Sequence, residues 1–207
     1  MNTPQHSDPT VLFYEQNASV FSLDTGSVDM AHIYAEFLPF LPKGGRILDA
    51  GCGSGRDSVF FKRKGFSVKA FDASKTLAEV ASRTLGEPVE VMTFLDLEAG
   101  DEYDGIWACA SLLHVHDGEM DDVLQRLMRS LKKSGVLYAS FKYGTTEGFR
   151  NGRYFNDFDE KKITDLLVRH PLLKLQRMWK TRDSRPGRNQ EWWLNAIMKK
   201  TVRVDMG

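Results

Sequence analysis

The chain has 207 residues, 42% of them hydrophobic and 27% charged, with 17 Gly and 7 Pro. That length and balance predict one domain with a core of its own and exclude a disordered, collagenous or low-complexity chain. Its 28 basic and 28 acidic side chains cancel overall, but residues 1–141 carry 13 basic and 20 acidic groups and residues 142–207 carry 15 and 8, about −7 against +7.

Met1 to Val20 lacks a basic segment followed by an apolar run, and no stretch of eighteen apolar residues occurs, so neither a signal peptide nor a membrane span is expected. Cys52 and Cys109 are too few for a disulfide framework or a four-ligand zinc site. Both lie in apolar, strand-like surroundings, where buried free thiols are expected, and these suit a reducing cytoplasm.

Phe13, Tyr14 and Phe21 are spaced too irregularly to predict a regular element in the first thirty residues. From Val28 to Leu41 the apolar residues Met30, Ile33, Tyr34, Phe37, Leu38 and Leu41 recur at intervals of three and four, which predicts a helix stopped by Pro42, Gly44 and Gly45. Residues 1–41 thus form an N-terminal cap and first helix. Arg46–Ala50 is then a short strand that leads into the loop Gly51-Cys52-Gly53-Ser54-Gly55. A helix over Arg56–Lys64, a strand over Ser67–Phe71 ending at Asp72, a helix capped by Ser74 and a strand over Val89–Phe94 ending near Asp96 continue the pattern. A strand over Gly105–Ala110, a helix over Met120–Leu131 and a strand over Gly135–Phe141 follow. This alternation predicts an α/β domain with a parallel sheet covered on both faces.

Residues 142–158 break the rhythm: a Gly- and Arg-rich loop over Lys142–Asn156 precedes a helix to His170, with Asp157 and Glu160 as its capping box. Strands over Leu172–Thr181 and Glu191–Lys200 flank a turn, Asp183–Asn189, that contains Pro186 and Gly187, which predicts an antiparallel hairpin.

The glycine-rich loop lies at a strand-to-helix joint, where free N–H groups favour nucleotides. Asp72 ends the next strand 21 residues after Gly51, where a carboxylate can accept both hydroxyls of a ribose. Arg56 stands where a dinucleotide fingerprint needs its third glycine, and Asp49 would repel a diphosphate while favouring an ammonium or sulfonium. Alone, Asp72 could be a helix cap and Asp96 a turn residue.

Taken together, Asp49-Ala50-Gly51-Cys52-Gly53-Ser54-Gly55, Asp72, Asp96, Tyr103-Asp104-Gly105-Ile106, Ser111-Leu112-Leu113-His114 and Leu131-Lys132-Lys133-Ser134-Gly135-Val136-Leu137 resemble the class I S-adenosylmethionine-dependent methyltransferases over nearly the whole chain. Within that superfamily the chain looks most like the small bacterial type 11 and tellurite-resistance-like groups. The resemblance implies a Rossmann-like, doubly wound, seven-stranded sheet, mostly parallel with an antiparallel C-terminal strand. It implies S-adenosylmethionine as cofactor, with Gly51, Gly53 and Gly55 beside its methionine part and Asp49 near its amino group. Asp72 would hold the ribose, Ala73 and Leu95 flank the adenine, Asp96 take the exocyclic amine, Ala108 begin the segment at the methyl group, and Tyr14 close over the site. His114 occupies the place of a histidine common in type 11 relatives and is a candidate base, against a plain hydrogen-bonded role at a helix start.

Methyl transfer from a sulfonium is an in-line displacement that demands positioning and exclusion of water. Lys142, Tyr143, Arg150, Arg153 and Tyr154 fall in the usual wall of the acceptor pocket of this fold, and Arg185 and Arg188 lie in the last turn. These cations suit a small anionic or oxygen-rich acceptor, with a solvated surface as the alternative. No Asp/Asn-Pro-Pro-aromatic motif follows the fourth strand, which disfavours methylation of nucleic-acid amines. No metal is expected, and the chain would act as a monomer or dimer. The other class left open is a noncatalytic or macromolecule-directed member whose basic C-terminal third docks on RNA, DNA or a protein.

Overall fold

A computed structural model describes residues 8–185 and 187–201. Pro186 and the first seven residues, on which parts of the turn and leader expectations rest, lie outside them. Among the described residues no helix is long and apolar enough to cross a membrane.

The elements are α1 (Pro9–Gly26), α2 (Ala31–Phe37), β1 (Arg46–Ala50), α3 (Arg56–Arg63), β2 (Ser67–Asp72), α4 (Lys75–Leu85), β3 (Glu90–Val91), β4 (Tyr103–Ala108) and α5 (Asp117–Ser130). They continue as β5 (Leu131–Lys142), β6 (Glu147–Arg150), β7 (Arg153–Asn156), α6 (Glu160–Arg169), β8 (Leu173–Arg182) and β9 (Trp192–Lys200). Seven strands form one sheet in the order β3-β2-β1-β4-β5-β9-β8, and β6 pairs with β7 apart from it. Strands β3 to β5 run parallel, while β9 is antiparallel to both β5 and β8. The α/β, Rossmann-like sheet with its antiparallel hairpin is the architecture that the alternation and the resemblance imply.

Strand alternation divides the core between the two faces. Ile47, Trp107, Tyr138 and Ile197 pack with Phe37 of α2 and Phe61 of α3, whereas Leu48, Ile106, Leu137 and Ala139 pack with α5 and α6. Trp107 stacks on Tyr138 with ring centroids 4.0 Å apart.

Several expectations are corrected. The first thirty residues contain a regular helix, α1, capped by Asp8, whose Oδ1 accepts from Thr10 N at 2.7 Å. Its apolar residues lack one continuous face because it lies across a cavity and not on the sheet. The helix expected over Val28–Leu41 is α2 followed by a 3-10 turn, Leu38–Phe40, because Pro39 has no N–H to continue the ladder. The third strand has two residues and not six: Thr93 and Asp96 form a capping box that turns Phe94–Asp96 out of the sheet.

The fourth strand begins at Tyr103 and ends at Ala108, so Cys109 and Ala110 belong to the loop beyond it. Cys52 is likewise a loop residue, and both thiols are free and only half-buried. Residues 142–156 are no irregular loop, since β6 and β7 pair with Arg150 opposite Arg153 around Asn151-Gly152, both at positive φ. This is the chemistry of a two-residue hairpin turn. The cap of α6 is Asp159, whose Oδ1 accepts from Lys162 N at 2.8 Å; Asp157 instead takes Arg150.

Candidate active site

A cavity of about 410 Å³ opens where β1, β2 and β4 end. Gly51 to Ser54, Asp72 to Ser74, Met92 to Leu95 and Cys109 to Ser111 form one side of it. Tyr14 and Phe21 of α1, Arg153 and Phe155 of β7, and Arg185, Arg188 and Trp193 form the other. Strand ends thus deliver the loops, and α1 with the β6–β7 hairpin supplies the roof.

The loop is fixed by its own backbone. The N–H groups of Gly51 and Cys52 both donate to the carbonyl of Phe71 at 3.0 Å, tying the loop to β2. Gly51 has φ +76°, and a Cβ there would stand 2.5 Å from the Cβ of Ser111. At Gly53, with φ +57°, a Cβ would stand 3.0 Å from the ring of Phe21. Asp72 links these parts: Oδ2 accepts from Gly53 N at 2.8 Å and Oδ1 from Ser74 N at 2.9 Å. Burial raises its carboxyl to about 6, opposed by those two N–H groups. Each carboxylate oxygen keeps a second lone pair for a ligand hydroxyl.

Of the expected cofactor residues, Tyr14, Gly51, Gly53, Asp72, Ala73 and Leu95 line this cavity. Four do not. Gly55 faces helix α4, where a Cβ would stand 3.3 Å from Ala81, so its role is close helix packing. Ala108 is wholly buried in the core, one residue before the wall begins at Cys109. Asp96 is exposed and folds back, its Oδ2 accepting from Thr93 N at 2.8 Å and from Thr93 Oγ1 at 2.7 Å. Asp49 is buried behind the loop, because strand alternation turns it toward α3, where Ser58 Oγ donates to its Oδ2 at 2.6 Å.

Burial, with Asp57 nearby, raises the Asp49 carboxyl to about 8. The folded chain therefore holds this proton between about pH 4 and 8 while the unfolded chain has lost it, and stability falls as pH rises through that window. Asp49→Asn carries no titrating proton and keeps an acceptor for Ser58. Its melting temperature is expected to gain on the wild type progressively from pH 5 to pH 8, and an equal difference at both ends would contradict the assignment.

Beneath the loop lies a pair that the motif reading missed. Asp57 accepts from Arg56 Nε at 2.6 Å and Nη2 at 2.9 Å, from the Tyr34 hydroxyl at 2.6 Å and from Trp107 Nε1 at 2.7 Å. Arg56 also donates through Nη1 to the carbonyl of Thr25 at the end of α1. The available signal was an acid in the first turn of a helix, followed in the fold by buried Tyr and Trp donors.

The four expected acceptor-side residues separate. His114 lines the cavity, but both ring nitrogens are engaged: Nδ1 lies 2.6 Å from the carbonyl of Tyr154 and Nε2 lies 2.9 Å from the Tyr14 hydroxyl. A carbonyl only accepts, so Nδ1 carries the proton and Nε2 accepts from Tyr14. Burial lowers the His114 pKa to about 4, which keeps the ring neutral near pH 7. Arg150 is turned outside, held by Asp157 through two bonds of 2.7 and 2.5 Å. The Tyr154 ring lies tilted against His116 and its hydroxyl meets Glu147, so only its backbone serves the site.

Arg153 alone of the four points a charged group into the cavity. Its guanidinium lies over Phe13 and Phe155, at 4.4 and 5.1 Å from the ring centroids, and Nη1 donates to the Tyr14 hydroxyl at 3.3 Å. Nearby, Asp183 accepts from Arg185, Lys142 and Trp193 Nε1, and these donors hold its carboxyl well below the usual range.

The α/β sheet order and the strand-end cavity are those of the class I methyltransferase fold. A family model described as a methyltransferase domain matches residues 25–196, and the chain belongs to that family. Methyltransferase GfsG of Streptomyces halstedii is 35% identical over 103 residues, which are 45% of this chain and 36% of that protein. Magnesium-protoporphyrin O-methyltransferase of Rhodobacter capsulatus is 28% identical over 160 residues, covering 73% of this chain and 69% of the relative. The chain thus spans about a third of the first relative's length and about two thirds of the second's. Among solved structures, a Burkholderia thailandensis 1,6-didemethyltoxoflavin-N1-methyltransferase, with 1,6-didemethyltoxoflavin and S-adenosylhomocysteine bound, superposes with a TM-score of 0.73. That match has 22% identity and covers 93% of this chain and 85% of the other.

Proposed function

We propose that this chain is an S-adenosylmethionine-dependent methyltransferase that acts on a small anionic or oxygen-rich acceptor by in-line transfer. The observation that carries the cofactor is the pair Gly51 and Gly53, both at positive φ, where a Cβ would clash with Ser111 and crowd Phe21, set beside the buried carboxylate of Asp72. When bound, S-adenosylmethionine supplies a methyl carbon on a positively charged sulfur. The residues present suit it: Gly51 and Gly53 expose backbone to the methionine part, Asp72 can accept ribose hydroxyls, and Phe94, Leu95 and Leu113 offer apolar walls for the base. Tyr14 and Phe21 cover the loop and exclude water, which strengthens the attraction between the Asp72 carboxylate and a cationic ligand.

A small acceptor is favoured over a macromolecular one by the fate of the charge asymmetry. Arg177 pairs with Glu36, Arg169 with Asp121, Lys162 with Asp117 and Lys200 with Asp101, so cations of the C-terminal third are spent on acids of the first part. The free thiols Cys52 and Cys109 suit a reducing cytoplasm.

Asp72→Ala is expected to weaken S-adenosylhomocysteine binding by about 1.5–3 kcal/mol, the range for hydrogen bonds to a charged group. Calorimetric titration of the folded variant checks this. Unchanged affinity would remove Asp72 from the site and the proposal with it.

A further inference from the structure

A hydroxyl, thiol or carboxylic acid acceptor must give up its proton, and a base close to the reacting atom takes it. Among the described residues the inner cavity has no acid or imidazole free for that task. His114 is bonded at both nitrogens, Asp72 accepts from two backbone N–H groups, Asp57 from four donors, and Asp183 from Arg185, Lys142 and Trp193. Burial pushes the Cys109 thiol up to about 12 and Cys52 higher still, so neither is a thiolate. The remaining candidates, Asp8, His32, His116 and Glu119, are exposed at the rim, where water competes.

One donor stands the other way. Arg153 lines the cavity; its Nε is buried without a partner, and among the described residues its guanidinium makes one polar contact, from Nη1 to the Tyr14 hydroxyl. Such an orphaned, charged donor costs free energy unless a ligand meets it. The rings of Phe13, Tyr14 and Phe155 hold the group in place and make its surroundings apolar. Gly53 faces Phe21, two turns further along α1, so Arg153 addresses the hairpin side of the cavity.

We propose that the acceptor is a small apolar carboxylate that Arg153 binds through its guanidinium, and that its nucleophilic oxygen enters already ionised. This rests on the S-adenosylmethionine-dependent function proposed above. The carboxylate oxygen supplies the electron pair of the new O–CH3 bond, and the bond from the methyl carbon to sulfur breaks with its pair left on sulfur. The two opposite charges cancel, a neutral ester and a neutral thioether form, and no proton is released. A cavity without an available base is then sufficient for the chemistry.

The test uses benzoate and its neutral isostere benzamide, titrated by NMR into the full chain saturated with S-adenosylhomocysteine. Benzoate is expected to bind at least tenfold tighter than benzamide, and Arg153→Gln to erase the preference while S-adenosylhomocysteine affinity stays within twofold. Arg153→Lys, which keeps the charge but not the planar donor, is expected to show a reduced preference and serves if the glutamine variant fails to fold. Equal binding of the two probes to the wild type, or a full preference in both variants, would overturn the proposal. So would a tenfold loss of S-adenosylhomocysteine affinity in Arg153→Gln with methylthioadenosine unaffected, because the guanidinium would then serve the amino-acid tail of the cofactor. A wild type that binds no S-adenosylhomocysteine at all overturns the cofactor assignment itself, an outcome distinct from the others.

Discussion

Asp57→Ala is expected to destabilise the fold by about 3–5 kcal/mol, the cost of removing one partner from a buried ion pair. Asp57 is 6% exposed and receives donors from Arg56, Tyr34 and Trp107, which come from α3, α2 and β4. Its loss leaves Nε and Nη2 of Arg56, the Tyr34 hydroxyl and Trp107 Nε1 without their acceptor. For a chain of this size the melting temperature should fall by roughly 10 °C. Asp57→Asn, which keeps one acceptor oxygen but no charge, should fall between the two. A loss below about 1 kcal/mol in urea unfolding would mean that the network is not what joins α2, α3 and the sheet under the loop.

The second large effect is expected at Gly51. A side chain there must adopt φ +76° and stand 2.5 Å from the Cβ of Ser111, so Gly51→Ala has to move the loop away from the segment that follows β4. Left-handed backbone alone costs an alanine about 1–2 kcal/mol. Displacement of the cradle should weaken S-adenosylhomocysteine binding by more than tenfold. Because the obstacle is a single Cβ, Ser111→Gly in the same chain should restore part of that affinity, and a double-mutant cycle measures the coupling. If the double variant binds no better than Gly51→Ala, the close approach of these two residues is not what shapes the loop.

The parts of the site legible in the sequence are those where backbone geometry dictates residue type. Gly51 and Gly53 must be glycine, Asp72 must end the strand beside them, and Ser74 must cap the next helix, so residue identity and structure carry the same information. Asp49 and Gly55 share the motif yet face away, because a strand alternates its side chains and a helix can demand a glycine as strictly as a ligand does. Asp96 shows a different failure, since a turn acid that caps Thr93 has the same spacing as one that meets a ligand.

The roof was less legible. Helix α1 is held by scattered contacts, such as Glu15 with Thr76, Thr10 with Tyr154 N and Tyr14 with His114, none of which leaves an apolar period. The β6–β7 hairpin did have a local signal in Asn151-Gly152, masked by the surrounding Gly and Arg. Arg150 and Arg153 sit opposite each other across that turn, and only the fold reveals that Asp157 claims the first and that nothing among the described residues claims Nε of the second.

The Gly51–Gly53 cradle and Asp72 are expected to hold S-adenosylmethionine and not a dinucleotide. Titration calorimetry of the unaltered chain with S-adenosylhomocysteine and, separately, with NAD tests it most directly. One equivalent of S-adenosylhomocysteine should bind, S-adenosylmethionine should displace it, and NAD should give no binding heat. Saturable NAD binding with no response to either sulfur compound would contradict the account.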